Sequence, residues 1–371
     1  MDISDLLKEL NSDFYTGVPD SQLKALCNYL IDNFGCSGRH VIAANEGNSV
    51  ALAAGYHLAT GKIPIVYMQN SGIGNIVNPV VSLMDNKVYG IPCIFIIGWR
   101  GEPGGYDEPQ HIFQGEISRK LLEDIGLYTV IFSVDISIEE LKNKLNDVRQ
   151  ILAEGKNVAF LVKKNAVSYD RYVLYKNSYE MVRESVIEQI AEVVGQDVVV
   201  STTGKVSREL FEIREKRHQG HESDFLTVGS MGHCSSIALG IALSKPDTKV
   251  WCIDGDGAAI MHMGAMAVIG NNHPGNLVHI VINNEAHETV GGMPTTAQGI
   301  DFTKIAEGCG YPHVSHAKTY KELREQLLMA KGRNALSFLE VKCAIGSRCD
   351  LGRPTISPKE NKKAFMKYLG V

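Results

Sequence analysis

Two side chains with metal-binding oxygens stand where predicted strands end in the second half of the chain. Asp256 lies in a Gly-Asp-Gly turn after the apolar run Val250–Ile253, and Asn284 follows the apolar run Leu277–Ile282. Because the carboxyl ends of parallel strands meet at one edge of a sheet, we expect these two side chains to face one another. One carboxylate and one amide oxygen suit Mg²⁺, which usually completes its coordination with waters and phosphate oxygens. The sequence therefore predicts a magnesium site at this edge.

The glycines on either side of Asp256 leave room for a phosphate group. Gly255 and Gly257 have no Cβ, so backbone N–H groups at the start of the following helix can approach a diphosphate. That helix is predicted over Ala258–Ile269, which makes the segment a strand–helix–strand unit. A glycine turn after a strand is also common as a purely structural feature.

The elements that must position these residues form two halves, each with alternating strands and helices. Such alternation predicts an α/β fold with a parallel sheet in each half. The polar, tyrosine-rich stretch 166–180 interrupts it, so we predict domains at 1–165 and 181–371 joined by this linker. The predicted strands are Ile63–Met68, Ile91–Gly98, Tyr128–Phe132 and Val158–Val162, then Val198–Ser201, Phe225–Val228, Val250–Ile253, Leu277–Ile282 and Ser337–Val341.

The two halves follow one plan. Gly55 and Gly72 are separated by 17 positions with a predicted strand between them, and so are Gly240 and Gly257. Each half also ends on a similar strand, in NVAFLVKK at 157–164 and in NALSFLEVK at 334–342. The sequence therefore predicts two related α/β domains.

Composition excludes several classes of protein. The 371 residues carry a net charge of −5, which gives no general attraction to nucleic acid. No run of about 18 apolar residues is present, so no membrane-spanning helix is predicted. The acidic start of the chain is unlike a signal peptide. The eight cysteines form no CxxC and mostly lie in apolar segments, which predicts reduced thiols and a cytoplasmic protein.

The Gly-Asp-Gly turn, followed after the 25 residues Ala258–Ile282 by Asn283-Asn284, resembles the cofactor motif of thiamin-diphosphate (ThDP) enzymes. The whole chain is similar to the ThDP-dependent 2-keto acid decarboxylases. This resemblance implies the ThDP-binding fold, with a pyrimidine-binding domain (1–165) and a diphosphate-binding domain (181–371) and no middle domain. It also implies ThDP and Mg²⁺ as cofactors, and a homo-oligomer, at least a dimer, whose active sites lie between subunits.

The resemblance assigns roles in each domain. Glu46, in Ala-Asn-Glu-Gly, matches the glutamate that binds the cofactor's pyrimidine; the alternative is an acid that complements a helix dipole. Met231 matches the apolar residue that bends the cofactor, although core packing would explain it equally. The Gly229 carbonyl would accept a hydrogen bond from the aminopyrimidine, and the Ala286 carbonyl is the implied third metal ligand. The other implied cofactor contacts are Thr203, Gly204, Gly255, Gly257 and Ala258.

Several segments are similar to the branch of this family that decarboxylates 3-phosphonopyruvate or sulfopyruvate. Asp20 and His111 match polar residues near the reacting carbon, and we expect them to transfer protons. Their alternatives are a turn-capping Asp and a surface-loop His. An anionic head group of the substrate needs cationic side chains to bind it. Arg100 is the first candidate for this role, and Lys205 and His287 are the next candidates. The segments are TGVPDS (16–21), YMQNSGIGN (67–75), GWRGEPG (98–104), DEPQH (107–111), STTGK (201–205), NNEAHETVGGMPT (283–295) and DLGRPTISPKENK (350–362).

The resemblance implies an enzyme that decarboxylates phosphonopyruvate in phosphonate biosynthesis. Three alternative functions remain open. The first is a sulfopyruvate decarboxylase, whose substrate has a similar anionic head. The second is another ThDP-dependent 2-keto acid decarboxylase or a ThDP-dependent carboligase. The third belongs to a different class, a non-catalytic protein that binds diphosphate; Glu46 argues against it, because a binder has no need of an acid at the pyrimidine.

Overall fold

In the computed structural model, which describes residues 1–136 and 138–371, the chain divides between Leu174 and Tyr175 into two units. The division lies inside the predicted linker 166–180. Among residues 163–182 the structure has only turns, bends and one isolated bridge, between Ser168 and Asp2.

The first unit, Met1–Leu174, alternates helices and strands around one sheet. A short 3₁₀ turn, Asn70–Gly72, joins the third strand to the helix that follows. The elements are α1 (Ile3–Leu10), β1 (Tyr15–Gly17), α2 (Lys24–Phe34), β2 (His40–Ile42), α3 (Glu46–Thr60), β3 (Ile65–Gln69), α4 (Ile73–Pro79), β4 (Ile94–Gly98), α5 (Pro109–Asp124), β5 (Tyr128–Phe132), α6 (Ile138–Ala153) and β6 (Val158–Val162).

The second unit, Tyr175–Val371, repeats this alternation and adds a small hairpin. Its elements are α7 (Arg183–Val194), β7 (Val198–Ser201), α8 (Lys205–Lys216), β8 (Asp224–Leu226), α9 (Cys234–Ser244), β9 (Val250–Gly255), α10 (Asp256–Met261), α11 (Gly264–Asn272), β10 (Leu277–Asn283), β11 (Ala286–His287), β12 (Met293–Pro294), α12 (Phe302–Gly308), β13 (His313–Ala317), α13 (Tyr320–Gly332), β14 (Ser337–Lys342) and α14 (Pro358–Tyr368).

Both sheets have the same topology. The first has six parallel strands in the order β2-β1-β3-β4-β6-β5, and the second has six in the order β8-β7-β9-β10-β14-β13. With β11 and β12 set apart as the hairpin, the two orders are identical when strands are counted within each unit. Gly72 and Gly257 each follow the third strand of their sheet, and Gly55 and Gly240 each lie in the helix before it. The predicted fold class, two related parallel α/β domains without a middle domain, is confirmed.

The strand order places a topological switch point in each sheet, between β1 and β3 and between β7 and β9. In parallel α/β sheets, ligands bind outside the carboxyl ends of the strands at this point. Strands β4, β6 and β10 are buried along their whole length, which explains why their sequences are continuous apolar runs. Each sheet has its own core, built around residues such as Phe95 in the first and Trp251 in the second.

Some sequence predictions of element bounds are wrong. The predicted single helix Ala258–Ile269 is two helices, because His262 has non-helical backbone angles (φ −131°, ψ 48°). Its ring centroid lies 4.3 Å from that of His233, a tertiary contact at the break. Strands β1, β2 and β13 and the β11–β12 hairpin were not predicted. β1 and β2 have only three residues each, too few to show a period, and β13 is an edge strand rich in polar residues.

Among the described residues, no helix is long and apolar enough to span a membrane. All eight cysteines lie in this part of the chain and are free thiols. The predicted cytoplasmic location stays a prediction.

Candidate functional site

In the first unit, Glu46 is a buried acid at the start of α3. Asn45 caps the helix by accepting a 2.9 Å hydrogen bond from the Asn48 N–H, which leaves Glu46 as the first helical residue, 5% exposed. Its Oε2 accepts a 2.6 Å hydrogen bond from Asn75 Nδ2. Any side chain at Gly72 would collide with the Glu46 carboxyl group. Burial raises the pKa of Glu46 above its ordinary value, against the opposing effect of the Asn75 hydrogen bond. This carboxyl is therefore suited to hold a proton.

Asp20, which follows β1, is a second buried acid at the same edge of the sheet, 1% exposed. Its Oδ1 accepts a 2.6 Å hydrogen bond from Gln69 Nε2, at the end of β3, and its Oδ2 accepts one of 3.2 Å from the Gln22 N–H. Burial raises the pKa of Asp20, and these hydrogen bonds act in the opposite direction. Strands β1 and β3 flank the switch point, so Asp20 lies where the topology predicts a ligand.

Arg100 follows β4 and is held by an acid that sequence reasoning missed. Its Nε and Nη2 donate hydrogen bonds of 2.8 and 2.5 Å to the two carboxylate oxygens of Asp107. Burial raises the pKa of Asp107, but hydrogen bonds from Arg100 and from backbone N–H groups outweigh it and hold that pKa well below its usual range. Arg100 Nη1 also donates to Ser21 Oγ at 3.3 Å, next to Asp20. The guanidinium is thus near the edge of the sheet with its charge already paired.

His111 lies in the first turn of α5, half-buried, rather than in a loop. Its backbone N–H donates to the Glu108 carbonyl at 2.8 Å. Gly101, in the loop after β4, has φ +66° and lies so close to the His111 carbonyl that any Cβ there would overlap it. The loop 99–108 and the start of α5 are therefore packed together.

One segment contacts Glu46, Asp20 and Arg100. Gln69 binds Asp20, and Asn75 binds Glu46, as described above. Between them, Asn70 Nδ2 donates to the Arg100 carbonyl at 2.8 Å, and Asn70 Oδ1 accepts from the Arg100 N–H at 3.1 Å. These three polar residues belong to YMQNSGIGN (67–75), which the sequence offered only as a family resemblance. The one local signal of their role was their polar type, at the end of a strand and in the turn and helix that follow it.

In the second unit, Asp256 is the first residue of α10 and is 3% exposed. Its Oδ2 accepts a 2.6 Å hydrogen bond from Thr295 Oγ1, and burial raises its pKa to about 7. Thr295 also donates its backbone N–H to the Glu285 carbonyl at 3.0 Å, which ties Asp256 to the segment after β10. A Cβ at Gly257 would lie 3.1 Å from the ring of His287, so any larger residue there would require that ring to shift by a few tenths of an ångström.

Asn284, directly after β10, has a fixed amide orientation. Its Nδ2 donates to Glu288 Oε2 at 2.8 Å, and its Oδ1 accepts from the Ala286 N–H at 3.1 Å. Ala286 begins β11, whose pairing with β12 holds this turn in shape. The donor set of this edge, a buried carboxylate, an amide oxygen and the Ala286 carbonyl, consists of oxygens and fits Mg²⁺. A divalent cation would also offset the desolvation of the Asp256 carboxylate.

The loops after β7, β8 and β9 meet at the same edge. Thr203 Oγ1 donates to the Val228 carbonyl at 2.8 Å, which joins the first loop to the second, just before Gly229. A Cβ at Gly232, next to the half-buried Met231, would lie 2.9 Å from the Ala258 carbonyl. Gly204 precedes α8 with φ +93°, a conformation that favours glycine. The remaining cofactor candidate, Gly255, has Thr202 as its neighbour.

A buried pair behind the Gly-Asp-Gly turn was also missed by sequence reasoning. Asp254 Oδ1 accepts a 2.9 Å hydrogen bond from the Gly255 N–H, and Asp254 Oδ2 lies 3.6 Å from His279 Nε2. His279 Nδ1 is 3.2 Å from the hydroxyl of Tyr311. Because Asp254 holds a backbone group of the turn itself, the pair helps to keep the turn in shape.

The two other cation candidates have different charge states. Lys205, the first residue of α8, donates from Nζ to Glu288 Oε1 at 3.0 Å and to Ser347 Oγ at 2.7 Å. His287 is half-buried, and desolvation lowers its pKa to about 4, so its ring is neutral near pH 7. The ammonium group of Lys205 is therefore partly compensated by the Glu288 carboxylate. His287 can bind an anionic substrate only through a hydrogen bond from its neutral ring.

Comparison with known proteins agrees with this arrangement. Residues 2–150 match the family model of the N-terminal TPP (thiamine pyrophosphate, that is ThDP) binding domain of thiamine pyrophosphate enzymes. Residues 200–341 match the model of the C-terminal TPP binding domain.

Three relatives align with most of the chain. Phosphonopyruvate decarboxylase of Streptomyces viridochromogenes is 32% identical, over 95% of this chain and 90% of the relative. That of Streptomyces hygroscopicus is 31% identical, over 95% and 89%. Sulfopyruvate decarboxylase of Methanosarcina acetivorans is 26% identical, over 100% and 97%. The chain therefore belongs to the family of ThDP-dependent 2-keto acid decarboxylases and is a carboxy-lyase.

Proposed function

We propose that this enzyme converts 3-phosphonopyruvate and a proton to phosphonoacetaldehyde and CO₂, as a step of phosphonate biosynthesis. The observation that carries the substrate assignment is the similarity to two phosphonopyruvate decarboxylases at 31 and 32% identity over 95% of the chain. The sulfopyruvate decarboxylase relative supports the same reaction type on a substrate with a similar anionic head, at 26% identity. Sulfopyruvate is accordingly the second candidate substrate.

The second unit would hold Mg²⁺ and the diphosphate of ThDP. Asp256, Asn284 and the Ala286 carbonyl supply the metal's protein oxygens. Backbone N–H groups at Gly257 and Ala258, at the start of α10, would donate to the diphosphate. Support comes from the burial of Asp256 and from the fixed amide of Asn284. The other proposed contacts of the cofactor in this unit are Thr203, Gly204, Gly229, Met231 and Gly255.

The first unit would supply the acid that binds the pyrimidine. When bound, ThDP would supply a carbon nucleophile for the keto group and an electron sink for the electron pair that stays on the substrate carbon when CO₂ departs. Glu46 would hold a proton on its carboxyl group and hydrogen-bond to the pyrimidine ring. The raised pKa of Glu46 supports this role, because burial favours the protonated form that can donate.

Asp20 and His111 are proposed to move protons near the reacting carbon. The product needs one proton on the carbon that loses CO₂, and burial raises the pKa of Asp20 above its ordinary value, which favours the protonated form of this acid. Arg100 is the main proposed contact of the phosphonate group, and Lys205 and His287 are proposed as further contacts. Arg100 is paired with the carboxylate of Asp107, and Lys205 with that of Glu288. The phosphonate dianion would therefore share each of these cations with a carboxylate of the protein.

We further propose that 1–165 is the pyrimidine-binding domain, 166–180 the linker and 181–371 the diphosphate-binding domain. The enzyme would work in the cytoplasm as a homo-oligomer, at least a dimer, with each active site between subunits. The division of the chain at Leu174 and the match of one family model to each half support the domain roles. Light scattering on the purified protein tests the oligomer, and a monomer that is active would contradict it.

One experiment tests the function directly. CO₂ release is measured with phosphonopyruvate, sulfopyruvate and pyruvate, each with and without ThDP and Mg²⁺. The highest kcat/KM is expected for phosphonopyruvate, with both cofactors required. A higher kcat/KM for sulfopyruvate would reassign the substrate, and accumulation of acetolactate-like products from pyruvate would instead identify a carboligase. Turnover without ThDP would overturn the mechanism.

A further inference from the structure

Glu288 joins three parts of the second unit through one buried carboxylate, whose side chain is 8% exposed. Its Oε2 accepts hydrogen bonds from Asn284 Nδ2, at 2.8 Å, and from Arg183 Nη1. Its Oε1 accepts one from Lys205 Nζ, at 3.0 Å. These donors lie after β10, at the start of α7 and at the start of α8. A single side chain therefore ties the turn after β10 to the beginnings of two helices.

The contact with Asn284 decides which way its amide group points. A carboxylate only accepts hydrogen bonds, so the group facing Glu288 must be the NH₂ of the amide. The Ala286 N–H, on the other side, requires the amide oxygen there. The oxygen is thus held away from Glu288, and reversing the amide would place two oxygens together and two donors together.

Glu288 belongs to a buried cluster in which positive and negative charges balance. Arg183 is buried and forms two further hydrogen bonds, both of 2.7 Å, with the two carboxylate oxygens of Glu209. Lys205 is the second cation, so two cations face two carboxylates in this cluster. Breaking one member of such a buried set is costly, which holds Glu288 in one position.

We propose that Glu288 is a positioning residue that presents the Asn284 amide oxygen to Mg²⁺ and, through its other oxygen, holds the Lys205 ammonium group. This inference rests on the proposed function, in which Asn284 is a metal ligand. Groups that orient metal ligands typically affect metal affinity by about 10- to 100-fold when they are replaced.

The test compares Glu288→Gln with Glu209→Gln. Each variant removes one carboxylate partner of Arg183, so both are expected to lower the melting temperature. Among the described residues, Glu209 has no hydrogen bond to Asn284, so only Glu288→Gln should affect the metal. The readout is the Mg²⁺ concentration that gives half-maximal ThDP binding in calorimetry. A rise of roughly 10- to 100-fold is expected for Glu288→Gln and less than about 3-fold for Glu209→Gln.

The outcomes separate this inference from the proposed function. Equal Mg²⁺ dependence in the two variants would overturn the positioning role while the wild type still binds ThDP with Mg²⁺. Binding of ThDP by the wild type without any Mg²⁺ dependence would instead count against the proposed function. If Glu288→Gln does not fold, Glu288→Asp keeps the charge but shortens the reach to Asn284. That variant should show the same shift in Mg²⁺ dependence, and a wild-type value would overturn the role.

Discussion

Asn75 Nδ2 donates a 2.6 Å hydrogen bond to Oε2 of the buried Glu46, across 29 positions of sequence. The bond fixes the carboxyl group at the carboxyl edge of the first sheet while burial raises its pKa. An acid that is both oriented and protonated is what the proposed contact with the pyrimidine requires. The same burial also makes the acid costly to ionise, and both properties can be measured.

Replacement of Glu46 by Gln should separate binding from turnover. The amide keeps an oxygen for Asn75, so ThDP should still bind, but it cannot exchange a proton with the pyrimidine. We expect kcat to fall by about 10²- to 10⁴-fold, the usual contribution of acid–base catalysis. Steady-state kinetics and calorimetry of ThDP binding test this. Ser49→Ala, which removes a 2.6 Å hydrogen bond to the Glu46 backbone carbonyl, is the control and should retain most turnover. An unchanged kcat in Glu46→Gln would remove Glu46 from the mechanism.

The same substitution should stabilise the cofactor-free protein at neutral pH. The pKa of Glu46 is raised above its ordinary value of 4.5, so its protonated form adds stability that is present below pH 4.5 and is lost as pH rises through the raised pKa. Gln does not ionise and avoids that loss. Melting temperatures should therefore favour Glu46→Gln at pH 8 and converge with the wild type near pH 4.5. Glu325→Gln, on the exposed face of α13, should show no such pattern. A lower melting temperature for Glu46→Gln at pH 8 would contradict the sign of the shift.

Asp256 should be essential for metal-dependent binding of the cofactor. Asp256→Asn keeps the size of the side chain and an oxygen for Thr295 but removes the charge that Mg²⁺ needs. ThDP binding in the presence of Mg²⁺ should become undetectable by calorimetry. Thr295→Val removes the hydrogen bond from Thr295 to Asp256 and should lower the affinity for Mg²⁺ by roughly 10-fold. Tight Mg²⁺-dependent binding by Asp256→Asn would defeat the assignment of the metal site.

The proposed location of the active sites between subunits predicts complementation of two inactive variants. In a mixed dimer of Glu46→Gln and Asp256→Asn, one of the two sites would contain both native residues. Random assembly should restore about a quarter of wild-type activity, because half of the dimers would be mixed and each would have one native site. Co-expression with two affinity tags isolates the mixed species. If that species is as inactive as its parents, each site is built within a single chain.

Substrate recognition should depend on Arg100 more than on Lys205. Removal of a cation that binds the phosphonate costs the energy of a charged hydrogen bond, about 1.5–3 kcal/mol, or roughly 10- to 100-fold in KM. Arg100→Ala should raise KM for phosphonopyruvate far more than for pyruvate, and Lys205→Ala should have a smaller selective effect. Comparable increases for both substrates would mean that Arg100 acts only through its pairing with Asp107.

The sequence alone determined the fold class, and it predicted the candidate metal site. Both follow from local patterns: apolar runs predict buried strands, and the Gly-Asp-Gly turn and Asn284 each end such a run. Glu46 and Asp20 could be named only through the resemblance of Ala-Asn-Glu-Gly and TGVPDS to family segments, because their local positions fit a helix-dipole acid and a turn-capping Asp as well. Strands of three residues, such as β1, and the helix break at His262 left no local pattern.

Only the tertiary structure decided which groups are partners. Asn75 faces Glu46 across 29 positions and Thr295 faces Asp256 across 39. Periodicity reports which side of an element is buried, whereas these pairs depend on where distant loops meet at one edge of a sheet. The states of the titratable groups follow from the same cause, since burial and neighbours set the pKa of Glu46 and of Asp256. Glu288 is the clearest case, because its type and position in sequence do not reveal that it holds the amide of Asn284.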